Sequence, residues 1–146
     1  MARRVIDANL AVASVVPLGY SDQARQLLHK WLEVGDELFA PTLWEYEVVT
    51  SLRKSIVGKA IRPERVVPAL VEVFQLGVYI VPQTLDAHIR ALEWAQRIGQ
   101  IVAYDAQYLA LAEDLEAEFW TADKRLAETA QQAGATWAHW VGEMIE

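Results

Sequence analysis

Short apolar runs alternate along the chain with longer stretches in which apolar residues recur every three or four positions. The short runs are rich in β-branched and aromatic residues, which is typical of buried strands. Strands that alternate with helices imply crossover connections, so the sequence predicts an α/β fold with a parallel sheet covered on both faces. The predicted strands are residues 4–6, 38–40, 78–81, 118–120 and 136–137.

The longer stretches have the spacing and the end residues of helices. Pro63 is predicted to begin a helix that Gly77 ends, and Thr84 to cap a helix that ends before Gly99. The predicted helices with clear bounds are residues 42–55, 85–98, 106–115 and 124–133. A further amphipathic helix is predicted from the i, i+3, i+4, i+7, i+8 spacing of Ala24, Leu27, Leu28, Trp31 and Leu32.

The composition is that of a folded globular protein. Apolar residues make up 53% of the 146 residues and charged residues 23%, which predicts a single domain over residues 1–146 with a buried core. Cysteine is absent, which excludes disulfides, cysteine-based zinc sites and a thiol nucleophile. Asp7 interrupts the first apolar run too early for a signal peptide, and no run could span a bilayer. We therefore expect a cytoplasmic protein with no membrane partner.

The net charge of −7 argues against a protein that coats nucleic acid through phosphate contacts alone. Between residues 53 and 65, however, five basic residues accompany one acid, Glu64. This basic segment is either an ordinary solvated helix end and loop or a surface that guides a nucleic-acid backbone. Its basic residues are Arg53, Lys54, Lys59, Arg62 and Arg65.

Four carboxylates are placed near predicted strand ends. Asp7 directly follows the first strand, and Asp123 comes shortly after the fourth. Glu47, in the helix after the second strand, and Asp105, at the start of the helix 106–115, can reach the same edge. In open parallel sheets, ligands bind beyond the carboxyl ends of the strands, where strand order reverses. Taken singly, an aspartate in such a position is most often a helix N-cap.

Together, the four carboxylates indicate a metal site. Carboxylates that lie close together repel one another, and burial increases the repulsion unless cations neutralise them. Their hard oxygen atoms suit Mg²⁺ or Mn²⁺, which keep several waters and also bind substrate phosphates. Such ions activate water and stabilise displacement at a phosphodiester. The residues therefore favour metal-dependent phosphodiester chemistry.

Four segments resemble the successive motifs of PIN-domain proteins, above all the VapC ribonuclease toxins of prokaryotic toxin–antitoxin pairs. They follow one another in the family's order and at about its spacing, over essentially the whole chain. The segments Tyr-Asp-Ala and Thr-Ala-Asp within them are the most specific. The four are Val5-Ile6-Asp7-Ala8-Asn9, Tyr46-Glu47-Val48-Val49-Thr50-Ser51-Leu52, Tyr104-Asp105-Ala106-Gln107-Tyr108-Leu109-Ala110-Leu111-Ala112 and Trp120-Thr121-Ala122-Asp123-Lys124-Arg125-Leu126.

This resemblance implies a three-layer α/β/α sandwich with a central parallel sheet, usually dimeric, and Mg²⁺- or Mn²⁺-dependent cleavage of RNA. The implied partners are an RNA substrate, a cognate antitoxin protein and a second copy of the chain. By the resemblance, Asn9 and Thr121 are polar residues that support the site. Thr50 departs from the family, which frequently has Asn at that position, so a supporting hydrogen bond is expected to differ. The implied metal ligands or water activators are Asp7, Glu47, Asp105 and Asp123.

The choice of glutamate rests on two opposing patterns. Glu45 shares a helix face with three apolar residues, Val48, Val49 and Leu52. Glu47 shares one with three polar or charged residues, Thr50, Ser51 and Lys54. Periodicity alone would let Glu45 point inward and Glu47 point to water. The motif favours Glu47, and its polar neighbours suit the wall of a hydrated metal site.

Two other functions are compatible with parts of the pattern. A phosphatase with an Asp-x-Asp nucleophile pair is disfavoured because the segment Asp7-Ala8-Asn9 lacks the second aspartate. A non-catalytic RNA- or protein-binding module on the same fold is disfavoured because clustered carboxylates without a function cost stability. The three histidines are scattered, without metal-ligand spacing, and no glycine-rich phosphate loop is present.

Overall fold

The computed structural model describes residues 1–145. Its centre is a parallel five-stranded sheet in the order β3-β2-β1-β4-β5. Helices flank this sheet and give the predicted three-layer α/β/α fold, which is confirmed. The strands are β1 (Arg3–Ile6), β2 (Glu37–Pro41), β3 (Tyr79–Val81), β4 (Glu118–Thr121) and β5 (Ala138–Trp140).

The helices that precede β3 pack around one another, whereas a later pair lies against the sheet centre. Helices α1, α3 and α4 are mutually in contact, and α6 lies against β1, β2 and β4 with α5 packed on it. Short 3-10 turns occur at Pro63–Arg65 and Val141–Ile145. The helices are α1 (Ala8–Ala13), α2 (Ser21–Glu33), α3 (Leu43–Val57), α4 (Val66–Phe74), α5 (Leu85–Ile98), α6 (Tyr104–Leu115) and α7 (Lys124–Gln132).

The order of the strands puts a switch point between β1 and β4. The chain runs outward from β1 through β2 to β3, then returns to the other side of β1 to form β4 and β5. Val5 of β1 is aligned with Phe39 of β2 and with Phe119 of β4. Val5 and Phe119 are completely buried. The residues after β1 and β4 therefore meet at one edge of the sheet, next to its most buried part.

Several predicted bounds differ from the structure. The fifth strand was placed wrongly at residues 136–137, because these residues form the turn before β5, where Trp137 packs edge-on against Trp94 at 5.6 Å. Helix α1 was not predicted, since nearly all of its six residues are buried and no polar face marks it as a helix. The helix expected from Pro63 begins there as a 3-10 turn and becomes α-helical at Val66.

Within residues 1–145, no helix combines the length and the apolar character that crossing a membrane requires.

Candidate active site

A cavity of about 310 Å³ opens beyond the carboxyl end of β1. Three of the four predicted carboxylates line it: Asp7 from the end of β1, Glu47 from α3 and Asp105 from α6. Asp123 is exposed and lies beside this group without lining the cavity. Its charge nevertheless contributes to raising the pKa of Asp105, so the four groups form one electrostatic cluster. The cavity is also lined by Asn9, Tyr46, Thr50, Ser51, Lys54, Tyr104 and Tyr108.

Asp7 is held by hydrogen bonds on both of its carboxylate oxygens. It is the N-cap of α1, where Oδ1 accepts a hydrogen bond from the backbone N–H of Leu10 at 2.8 Å. Oδ2 accepts a hydrogen bond from the hydroxyl of Thr121, which is completely buried. The helix-cap interpretation of Asp7 is thus correct, but capping uses only one oxygen and leaves the carboxylate on the cavity wall.

Burial is the main influence on the charge of Asp7. It raises the pKa of this carboxyl to about 7, against the opposing effects of the hydrogen bonds from Thr121, Leu10 and Ala122. The nearby charge of Asp105 raises the pKa further. Near neutral pH, Asp7 therefore lies close to the balance between its neutral and charged forms, and a cation in the cavity would favour the charged form.

Thr121 connects Asp7 to the segment that carries Asp123. Its hydroxyl donates to Asp7, and the same oxygen accepts a hydrogen bond from the backbone N–H of Asp123 at 2.9 Å. Asp123 is in turn the N-cap of α7, where Oδ1 accepts a hydrogen bond from the N–H of Leu126 at 3.1 Å. These bonds fix the chain after β4 against the chain after β1.

Glu47 lies beside the buried row of α3. Val48 and Leu52 form that row, and the half-buried Glu47 borders it on the cavity side, where Oε1 accepts a hydrogen bond from the hydroxyl of Tyr108 at 2.5 Å. Burial raises the pKa of Glu47, the Tyr108 hydrogen bond opposes this, and Asp105 adds to it. Glu45 does not line the cavity.

Asp105 lies inside the first turn of α6. The helix begins at Tyr104, so the expected helix start at residue 106 was too late, and Asp105 is not a helix cap. Its Oδ2 accepts a hydrogen bond from the side-chain amide of Gln100 at 2.9 Å. Burial raises the pKa of Asp105, the Gln100 bond opposes this, and Asp123 adds to it.

The remaining predicted residues are divided between the cavity and the outer surface. Asn9 lines the cavity and accepts a hydrogen bond from the Ser51 hydroxyl at 3.1 Å. Of the basic segment, Lys54 lines the cavity, and its charge partly opposes the rise that burial causes in the pKa of Glu47. The rest of the segment lies away from this cavity. Arg53 is exposed on α3, and the others line two separate surface pockets, one with Lys59 and Arg62 and one with Arg65.

Comparison with known proteins identifies the fold family. The family model for the PIN domain matches residues 4–132. The chain belongs to the PIN-domain family. The sequence of this PIN domain is 31% identical over 129 residues to Ribonuclease VapC3 of Pyrobaculum aerophilum, a match that covers 85% of this chain and 92% of that protein.

Solved structures show the same fold at lower identity. The P. aerophilum protein PAE2754 superposes with a TM-score of 0.69 at 20% identity, covering 99% of this chain and 87% of its own. VapC20 of Mycobacterium tuberculosis, a toxin that cleaves the sarcin-ricin loop, has a TM-score of 0.64 at 16% identity, covering 90% and 95%. A chain of VapBC2 from Rickettsia felis, bound to promoter DNA, has a TM-score of 0.66 at 10% identity, covering 94% and 98%.

The donor atoms of this PIN domain fit a divalent cation. The cavity presents carboxylate oxygens from Asp7, Glu47 and Asp105, which are the hard oxygen ligands that Mg²⁺ and Mn²⁺ prefer. Across the described part of the chain, no three acidic or histidine side chains are close enough to form a complete ligand set. Mg²⁺ suits such an open set because it keeps several waters and uses only one or two carboxylates.

Sequence reasoning gave no role to two side chains that hold the carboxylates. Tyr108 is 1% exposed and holds Glu47, and Gln100 holds Asp105. Tyr108 lies four residues after Tyr104, one helical turn further along α6, so the motif contained it. Gln100 lies in the turn before α6, where only the three-dimensional structure reveals its partner.

Proposed function

We propose that this PIN domain is a divalent-metal-dependent endoribonuclease and the toxin of a toxin–antitoxin pair. The observation that carries the proposal is the convergence of Asp7, Glu47 and Asp105 on one cavity at the switch point of the sheet. The 31% identity to Ribonuclease VapC3 supports RNA as the substrate. A non-catalytic binding module would have no need for one buried and two half-buried carboxylates around one cavity, because their mutual repulsion destabilises the fold when no cation is bound.

The proposed chemistry is hydrolysis of a phosphodiester bond. Asp7, Glu47 and Asp105, with Asp123 beside them, would hold Mg²⁺ or Mn²⁺, one or two of them directly and the others through waters that the ion keeps. The ion would supply charge neutralisation and lower the pKa of bound water. Thr121 keeps Asp7 directed at the cavity, and Tyr108 does the same for Glu47. A carboxylate of this group that is charged and does not ligate the ion directly could take the proton that an attacking water gives up.

Two macromolecular partners belong to this proposal besides the RNA. The similarity to a chain of VapBC2 supports a cognate antitoxin, and a homodimer is the assembly that we expect from the family resemblance. Lys54 is the member of the basic segment placed to contact a phosphate next to the carboxylates. Arg53, Lys59, Arg62 and Arg65 would act further along the RNA backbone.

The decisive experiment is cleavage of single-stranded RNA by purified protein with Mg²⁺, with Mn²⁺ and with EDTA. We expect cleavage with either metal and none with EDTA. Asp7→Asn should lower the rate by orders of magnitude and leave the fold intact, since the substitution preserves shape. Asp22→Asn is the matched control, because Asp22 is exposed and contacts Arg25 on α2. If Asp7→Asn cleaves RNA as fast as the parent, the site assignment is wrong.

A further inference from the structure

Two tyrosines stand exposed at the mouth of the carboxylate cavity. Tyr46 of α3 is 70% exposed and Tyr104 of α6 is 59% exposed, and both line the cavity. Each immediately precedes a candidate metal ligand, so two separate helices repeat one arrangement: an exposed aromatic ring next to an inward carboxylate. The rings therefore border the space in which a scissile phosphate would lie.

These two rings have no evident role in the folded core. Tyr108, which lines the same cavity, is buried and packs on Phe119 with ring centroids 5.7 Å apart. Tyr79 is 56% exposed on β3, and its ring still packs on Phe39 at 5.4 Å. Within residues 1–145, neither Tyr46 nor Tyr104 belongs to such an aromatic pair. Large aromatic side chains left in water beside a polar cavity indicate a ligand with flat apolar faces.

We propose that Tyr46 and Tyr104 stack on unpaired bases that flank the phosphate held at the carboxylates. Proteins that bind single-stranded nucleic acid commonly combine aromatic stacking with a basic group for the backbone. Lys54 supplies such a group on the wall of the same cavity. This inference rests on the proposed function and specifies its substrate as RNA whose bases are free to leave the helix, because paired bases offer no open face.

The inference is tested by measuring how tightly the protein binds a fluorescent single-stranded oligoribonucleotide. Asp7→Asn serves as the background, because it prevents cleavage during the measurement. Tyr46→Ala and Tyr104→Ala should each weaken binding by roughly 5- to 150-fold, the range for loss of one stacked base. Tyr→Phe and Tyr→Trp at the same positions should retain most of the affinity, and Tyr→Leu should not.

Three controls separate stacking from other causes. Tyr79→Ala removes an exposed tyrosine away from the cavity and should bind as the background does. An oligoribonucleotide with abasic sites near its centre should bind the background protein more weakly, and the background and the alanine variants should bind it equally well. The Mn²⁺-induced rise in Tm should be the same in Tyr46→Ala as in the parent, which shows that Glu47 is undisturbed.

Each outcome has a definite consequence. If the parent cleaves RNA but the alanine variants bind it as tightly as the background, the stacking inference fails and the proposed function stands. Equal losses on duplex RNA, or a loss in Tyr→Phe as large as in Tyr→Ala, would also overturn it. A change in oligomeric state without a change in RNA affinity would assign the rings to a protein interface instead. If the parent neither binds nor cleaves RNA, the proposed function itself is wrong.

Discussion

Asp7 both caps a helix and lines the carboxylate cavity. One oxygen caps α1 and the other accepts a hydrogen bond from Thr121, while burial raises the pKa of the carboxyl to about 7. The cap and the Thr121 bond both favour the charged form, yet burial outweighs them. The same carboxylate that organises the start of a helix is therefore costly to charge when no cation is present.

This cost predicts how stability depends on pH in EDTA. In the unfolded chain Asp7 loses its proton near pH 4, but in the folded protein it keeps the proton to about pH 7. Between these values the folded state binds more protons, so the free energy of unfolding should fall as pH rises, by up to about 1.4 kcal/mol per pH unit for this group. Urea unfolding in EDTA at pH 5, 6 and 7 measures this decrease in the free energy of unfolding.

The matched variants isolate the contribution of Asp7. Asp7→Asn should reduce the slope of stability against pH, whereas Asp22→Asn should keep the slope of the parent. Some slope should remain in Asp7→Asn, because burial also raises the pKa of Glu47 and Asp105. An unchanged slope in Asp7→Asn would show that the folded protein does not hold a proton on this residue.

At the scale of elements, α3 directs Glu47 toward the cavity, although periodicity alone predicts that this side chain points to water. Its buried row runs through Trp44, Val48 and Leu52, while Val49 is 53% exposed. The apolar face assigned to Glu45 was therefore too wide, because it included Val49. Glu47 lies on the other side of the row, toward Tyr108 and the cavity.

The geometry of α3 predicts different outcomes for the two glutamates. Glu47→Gln should lower RNA cleavage by orders of magnitude, because it removes a ligand charge while Tyr108 can still donate to the amide oxygen. Glu45→Gln should cleave RNA at close to the parental rate. Initial rates with saturating Mn²⁺, and circular dichroism to verify folding, make the comparison. If only Glu45→Gln loses activity, Glu45 on the apolar face of the helix is the metal ligand and Glu47 is not.

How well each element could be predicted depended on whether local chemistry marks its ends. The bounds of α5 are as predicted, because Thr84 caps its start and Gly99 adopts the left-handed conformation, with φ of 70°, at its end. The start of α6 was misplaced because Ala103, a residue without a capping side chain, precedes it. The three-residue β5 is too short to show the alternation of apolar and polar residues that marks a strand. Its start at Ala138 is visible only from the pairing of this residue with Phe119 in β4.

At the scale of the molecule, the site depends on contacts that no local pattern specifies. The motifs proposed four carboxylates, and the alternation of strands and helices predicted the edge of the sheet where three of them line one cavity. The strand order that makes β1 and β4 neighbours follows only from the complete packing. So does the bond from Tyr108 to Glu47, which joins residues 61 positions apart.

The charge of the whole cluster predicts how the protein responds to metal. Because Asp105 caps no helix, Asp105→Asn loses no cap and relieves repulsion. In EDTA this variant should melt at the parental temperature or above it. Mn²⁺ at a hundredfold excess over its Kd should stabilise the parent by about 2.7 kcal/mol, and the variant should lose most of that gain. Equal gains in both proteins would mean that these carboxylates share no ion.

The hydrogen bond from Thr121 to Asp7 also bears on when activity can begin. It joins residues 114 positions apart in the sequence. While the ribosome is still making β4, Asp7 has neither this donor nor the neighbouring strand on that side. The carboxylate cluster is then incomplete, and a nascent chain emerging beside ribosomal RNA has no assembled nuclease. The proposed competence to cut RNA thus arises only after the segment through Thr121 has been synthesised and has left the ribosome.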